Sequence, residues 1–484
     1  MDYRVKVRQM IDYINNNFVA EVPRDVYAPH ETLHSKIGSL DDSKAIPITT
    51  TYLVLNTLMG KNTLIEGGSG TGKTLLSSVV ASLMSQIPYE FFERRKITGV
   101  PGVQVNDIYA TTDLSEMQKG RDVAFLYQNT FSPVLLMDEL NRFDELSQNR
   151  IREGLSSHVW QYANHSWKIP GQLAIATINP ETYGGTCILN ENLLDNFSLI
   201  LEPAYFNILE HSSLIVTARD NAREKLGLEA VIDELDAFYE KNKNDFEKVR
   251  RYIQNIQNTT AKEFVKRKIP FIHNGEISEV KKEIEEMEFD PEARLLLYCA
   301  MSESTWSRKF GRIRHEDPKS DSTHDAAYLS SMIQEGFAGR IFADIKSSAK
   351  AIAWYLGNKY VKIEDLKTAF IYSSPRRVKP TDEFYQEVLS STRALPIRHE
   401  IARRTFEKVW ENYSDFKDGN NKSFQLCREA IINLQKGENT SEARENIASA
   451  RATLERTDHP LAQSILEYLA YREIKTRKEA RQRP

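Results

Sequence analysis

Eight residues, Gly67-Gly68-Ser69-Gly70-Thr71-Gly72-Lys73-Thr74, constrain what this chain of 484 residues can fold into more than any other segment. The spacing is G-x-x-x-x-G-K-[ST]. Glycines at these positions let the backbone turn tightly enough for successive N–H groups to close around phosphate oxygens. The flanks supply the context such a loop needs. Residues 62–66 read as a short buried strand. After Lys73, the residues Leu75, Leu76, Val79, Val80, Leu83, Met84 and Ile87 fall on one face of a helix. In a strand–loop–helix of this kind the lysine reaches the β- and γ-phosphates and the following hydroxyl holds Mg²⁺. Gly67 to Thr74 are therefore expected to bind a nucleotide, with Thr74 as a metal ligand.

A chain this long calls for two to four domains. Its composition is that of a water-exposed globular protein, 40% hydrophobic and 27% charged, with a net charge of −4. That balance leaves no overall electrostatic footprint for nucleic acid or for an acidic membrane. The start, Met1-Asp2-Tyr3-Arg4, has no apolar signal-peptide core, and no run of 18 apolar residues occurs. The expectation is a cytoplasmic protein without a membrane span. Cys187, Cys299 and Cys427 lack CxxC spacing, which predicts reduced, buried thiols and not a zinc site or disulfide frame.

Along the chain, residues 1–45 read as a helical leader, with Met10, Ile11 and Ile14 on one face, followed by an irregular stretch containing Pro23 and Pro29. Residues 46–205 alternate short apolar strands with helices, the signature of an α/β sheet, with strands expected at 62–66, 134–138, 173–178 and 198–202. Residues 206–300 turn helical and highly charged. Over 276–288 the residues Ile277, Val280, Ile284 and Met287 keep an apolar stripe, which predicts a solvated helix with one packed face. Asp317 to Thr323 read as a polar loop and 330–379 as a compact helical unit. Residues 380–484 read as helix punctuated by Gly437, by Thr440 or Ser441, and by Asp458-His459-Pro460, ending in a basic tail at 475–484.

Three further polar residues end apolar strands. The run Val134-Leu135-Leu136-Met137 leads into Asp138-Glu139, 65 residues after Lys73. Phosphoryl transfer needs mainly positioning and charge stabilisation, so a metal-holding carboxylate followed by a water-polarising one is a sufficient pair. Leu173 to Ile178 leads into Asn179, an amide that could bond the γ-phosphate or the attacking water; Asn179-Pro180 also suits a turn. The stretch from His158 to Pro170, with Trp160 and Trp167, reads as a hairpin whose tryptophans pack against their neighbours, and which could also grip a partner.

Together these segments resemble the MoxR family of AAA+ ATPases, in the clade with an insertion in helix 2. Gly99-Val100-Pro101-Gly102 through Asp107-Ile108 is similar to that family's G-T-P-x-L-x-x-x-D-I. Asp138-Glu139-Leu140-Asn141-Arg142 is similar to its D-E-I-N-R. Ala176-Thr177-Ile178-Asn179-Pro180-Glu181 with Gly184-Gly185-Thr186, and Leu189-Asn190-Glu191 through Asp195-Asn196-Phe197, resemble two more of its motifs. The match covers 46–205. It implies an α/β fold: an AAA+ αβα phosphate-loop core at 46–205, a helical region with the lid at 206–379, and an extra C-terminal helical domain at 380–484. It implies ATP and Mg²⁺ as cofactors, with Lys73, Glu139 and Asn179 catalytic and Asp138 a metal ligand. Gly336-Phe337-Ala338-Gly339-Arg340 resembles the family's lid motif, which assigns Arg340 to the γ-phosphate; a plain surface arginine is the rival reading.

The resemblance further implies a homo-oligomeric, hexameric ring that remodels or assembles a client protein, the client carrying a von Willebrand factor A domain. One departure matters. Where the family has the arginine of L-D-R-F this chain has Asn196, which has no guanidinium to stabilise charge in a neighbouring subunit, a group worth roughly 10³–10⁵ in rate. Arg142, Arg150 and Arg152 are alternative sources. A weakly hydrolysing, nucleotide-gated scaffold is therefore a second reading, and a nucleic-acid-stimulated motor, disfavoured by the acidic charge, a third.

Overall fold

The computed structural model describes the chain apart from residues 1, 20, 22, 29–44, 103–107, 181–183, 204–207, 306–328, 394, 420–423, 427, 431, 433–440, 458–460, 463–464, 467–468, 471–472 and 475–484. Pro29, the polar loop from Asp317, Gly437, Thr440, Asp458-His459-Pro460, the basic tail and Cys427 thus lie outside the described residues, as do Asp107 and Glu181 of the resembling motifs. The chain divides into two compact units. The described residues within 1–28, 33–286 and 354–357 form the first, and those within 287–353 and 358–484 the second.

The first unit is built on strands β1 (Asn62–Glu66), β2 (Ile97–Thr98), β5 (Val134–Asp138), β8 (Leu173–Ile178) and β9 (Phe197–Leu201), which make one sheet in the order β9-β1-β8-β5-β2. All its pairings are parallel. Parallel strands buried on both faces read as continuous apolar runs, and β8 (Leu-Ala-Ile-Ala-Thr-Ile) is buried at every position. The three central strands fall where the apolar runs predict them, and β9 begins one residue early. Two antiparallel hairpins stand outside the sheet: β3 (Ala110–Thr112) with β4 (Ala124–Leu126), and β6 (Val159–Tyr162) with β7 (His165–Lys168). The first was not legible in the sequence; the second was.

In that second hairpin Trp160 packs as expected. It donates from Nε1 to Gln172 Oε1 at 2.7 Å, and a Cβ added at Gly154 would lie 2.6 Å from its ring. The hairpins are joined side by side. Tyr109 Oη donates to the Gln161 carbonyl, and Asp122 accepts from Asn164 Nδ2 at 3.2 Å.

Helix Ile48–Leu58 is buried on every side. Its N-cap is Pro47, which has no side-chain donor or acceptor to offer the first turn. Glu21 does this from a distance, accepting from the N–H of Thr49 at 2.7 Å and of Thr50 at 2.9 Å. The leader helix Tyr3–Ile14 buries Met10, Ile11 and Ile14, the predicted face. Helices Ile208–Leu226, Glu229–Asn242, Phe246–Lys266 and Asn274–Glu286 complete this unit. The last buries Val280 and Ile284, again as its stripe predicts.

The second unit is helical: Pro291–Thr305, Gly339–Leu356 for most of its length, Ile363–Ser373, Asp382–Ser390, Ile397–Gly419 and Ser441–Leu454. Its core includes Leu296, Cys299, Ile345, Phe370, Phe406 and Tyr413. Cys299 is buried as expected, whereas Cys187 is exposed. No described helix is long and apolar enough to cross a membrane.

Glu303 is 1% exposed in this core. Its Oε1 accepts from Leu329 N at 3.0 Å and from Asn412 Nδ2, and its Oε2 has no hydrogen-bond partner among the described residues. Burial pushes its pKa up to about 7 from 4.5, against the lowering effect of those two bonds and of Lys408. The folded state therefore binds this proton more tightly than the unfolded chain. The resulting stability is fully present below pH 4.5 and is lost as pH rises through 7. Denaturation between pH 5 and 8.5 is expected to show a loss of about 3 kcal/mol, absent in Glu303→Gln. An equal slope in both proteins would refute this.

Candidate nucleotide site

Register decides which residues meet. Ile178 pairs with Glu66 and Ala176 with Met137, while Thr98 pairs with Asp138. The carboxyl ends of β1, β8, β5 and β2 thus finish at one edge, where ligands bind in open parallel sheets. The loop leaves β1 at that edge. Gly70 and Gly72 take φ of +79° and +75°, a region only glycine enters without strain. Gly72 is also the N-cap of helix Lys73–Ser85, so the helix presents unpaired N–H groups and its positive dipole end there.

Lys73 is 7% exposed. Its Nζ donates to the carbonyls of Gly67 at 2.5 Å and Gly68 at 2.7 Å, and lies 3.3 Å from Asn179 Oδ1. Burial lowers its pKa, opposed by the charges of Asp138, Glu139, Glu202 and Glu66. A buried ammonium with a depressed pKa is a common mark of a functional site.

Asp138 Oδ1 accepts from Thr74 Oγ1 at 2.9 Å and from Thr177 Oγ1 at 2.6 Å. Lys96 Nζ stands 3.3 Å from its other oxygen. Thr177 Oγ1 also accepts from the Glu139 N–H at 3.1 Å, so a single hydroxyl ties the two acidic positions together. Glu139 has φ +54°, uncommon for a residue with a side chain. Its Oε1 accepts from Asn179 Nδ2 at 2.8 Å, and Arg142 Nε lies 3.0 Å from its Oε2. Asn141 bridges to the Asn179 backbone, donating to its carbonyl at 2.8 Å.

The structure thus brings together Lys73, Thr74, Asp138, Glu139 and Asn179. Arg340 is exposed at the start of helix Gly339–Leu356, in the second unit. Asn196 accepts from Ser156 Oγ at 2.8 Å and donates to the Asn192 carbonyl at 3.1 Å. Arg150 pairs with Glu153 at 3.2 Å. Arg150 and Arg152 line a cavity of about 430 Å³ with Trp160 and Ser156; no phosphate-loop residue lines it.

Four contributors were not singled out in the sequence for the contacts they make here: Lys96, Thr177, Asn141, and Gly99. A signal existed for Thr177, the one hydroxyl in the apolar run of β8. Gly99 donates to the Asp138 carbonyl at 2.8 Å, and a Cβ there would sit 2.2 Å from the Glu139 carbonyl oxygen. Gly99→Ala must therefore push backbone against backbone under the two acids. A loss of about 1–3 kcal/mol in thermal or urea unfolding is expected; unchanged stability would show that the turn yields freely.

Hard oxygen donors suit Mg²⁺, which is commonly held by one or two carboxylates plus substrate phosphates and water. The converging Thr74 hydroxyl and Asp138 carboxylate fit that donor set. Among the described residues no cluster of three or more acidic, His or Cys ligands offers a closed metal cage.

No curated protein matches the chain. A crystal structure of a protein from Cytophaga hutchinsonii ATCC 33406, provisionally designated an ATPase, is similar with 16% identity and a TM-score of 0.49, over 85% of this chain and 94% of that one. A full-length MCM homolog from Methanopyrus kandleri is similar with 12% identity and a TM-score of 0.34, over 76% of this chain and 60% of that one. Residues 62–199 match the model of the ATPase family associated with various cellular activities (AAA), and the five-stranded parallel sheet of this segment has the α/β fold of an AAA+ core.

Proposed function

We propose that this chain binds and hydrolyses ATP as a ring-forming AAA+ protein of MoxR type and uses the cycle to remodel or assemble a client protein. The observation that carries the reading is the convergence of Thr74, Asp138, Glu139 and Asn179 on Lys73 at one edge of the sheet. Loop N–H groups and Lys73 bind and orient the phosphates. Thr74 and Asp138 would hold Mg²⁺, which would supply positive charge against the phosphates. Glu139 takes the proton of the attacking water, and Asn179 fixes Glu139 by its amide. Arg340 is the candidate for a γ-phosphate contact from the lid. Nucleotide held between neighbouring subunits would pass the change to the client, for which the family resemblance favours a protein with a von Willebrand factor A domain.

Asn196 favours a second reading, a nucleotide-gated scaffold that hydrolyses weakly. Steady-state turnover against protein concentration, with Glu139→Gln as the blank, separates the two. Specific activity that climbs with concentration is expected if neighbours complete the site. Turnover no higher than the blank at every concentration would favour the scaffold.

A further inference from the structure

Arg142 does more at this site than follow it in sequence. The short 3₁₀ turn Leu140–Arg142 begins directly after Glu139, and residues three apart in such a turn eclipse one another. Arg142 therefore projects beside Glu139, its N–H bonded to the Glu139 carbonyl at 2.9 Å. The turn has little freedom. Leu140 is fully buried, Asn141 is locked to Asn179, and the Arg142 Cβ lies 3.2 Å from where a Cβ on Gly99 would be.

The two oxygens of Glu139 are held in different ways. Asn179 gives Oε1 a directed hydrogen bond. Arg142 gives Oε2 a close positive charge, 3.0 Å away, but its Nε–H makes no directed hydrogen bond. A glutamate has three side-chain torsions, and an acceptor for the proton of water must keep its carboxylate within a narrow range of positions. One bond at one oxygen leaves the carboxylate free to swing about it; a charge at the other oxygen closes that motion.

We propose that Arg142 is a positioning residue that fixes the Glu139 carboxylate by charge, in the same chain. It is thereby committed to its own site and is not the group that stands in for the arginine absent at position 196. The inference rests on the ATPase reading above. Arg142→Met is expected to lower kcat by about 10- to 100-fold, with KM and the affinity for a fluorescent ATP analogue within about twofold of wild type. Arg142→Lys, which keeps the charge, recovers the greater part. In a Glu139→Gln background Arg142→Met costs nothing further, because the carboxylate it positions is gone. The proposal is overturned if Arg142→Met keeps wild-type kcat, loses kcat and nucleotide affinity together, or is no slower than Arg142→Lys. A wild type no faster than Glu139→Gln overturns the ATPase reading as well, which distinguishes that failure from the others.

Discussion

Glu139→Gln is expected to lower ATP turnover by about 10²- to 10⁴-fold, the usual contribution of a positioned acid or base, while nucleotide affinity stays within about twofold. The geometry separates the two effects. Glu139 touches Asn179 and Arg142 through its carboxylate and Thr177 through its backbone. Among the described residues it makes no hydrogen bond to the phosphate loop. Glutamine keeps the shape and still accepts from Asn179 Nδ2, so the loop, Lys73 and Asp138 stay in place. What is lost is the site that receives a proton from water. Single-turnover hydrolysis and equilibrium binding measured on the same preparation check this. Loss of binding in step with loss of turnover would mean that Glu139 shapes the pocket and does not act on water.

Lys73→Met is expected to do the reverse, weakening ATP binding by roughly 10- to 150-fold, the loss of about 1.5–3 kcal/mol for a charged hydrogen bond, without lowering thermal stability. Burial is the largest influence on this ammonium and depresses its pKa, more than the four nearby carboxylates make up for. The folded chain thus holds Lys73 at a cost, which an apolar side chain of similar length removes. Isothermal titration with ATP and a melting curve in its absence test both halves. A variant that melts well below wild type would show that Lys73 braces the loop through the Gly67 and Gly68 carbonyls.

Much of this site was legible because its pieces sit at the ends of long apolar runs. A run such as Val134 to Met137 must be buried on both faces, so the first charged residues after it mark the sheet edge. That logic located Asp138, Glu139 and Asn179. It failed where elements are too short for a period to register. Strand β2 has two residues and strands β3 and β4 three each, so neither Lys96 beside Asp138 nor the first hairpin could be read. Thr177 was visible as a residue but not as a contact, since the face on which it meets Asp138 depends on the pairing of β8 with β5. For Arg142, identity was plain and the partner was not, because an arginine after two acids can turn to either of them or outward.

The hydroxyl of Thr177, shared between Asp138 and the Glu139 amide, has a mechanical consequence. Both acids stand at the end of one strand, β5, and the hydroxyl that ties them comes from its paired neighbour β8, so neither can be advanced or withdrawn without the other. Anything that times catalysis must then act through parts not laced into the sheet: the glycine loop, the lysine, the Asn179 amide, or a contact brought from another chain. The strands form an anvil, and what moves are the parts brought against it.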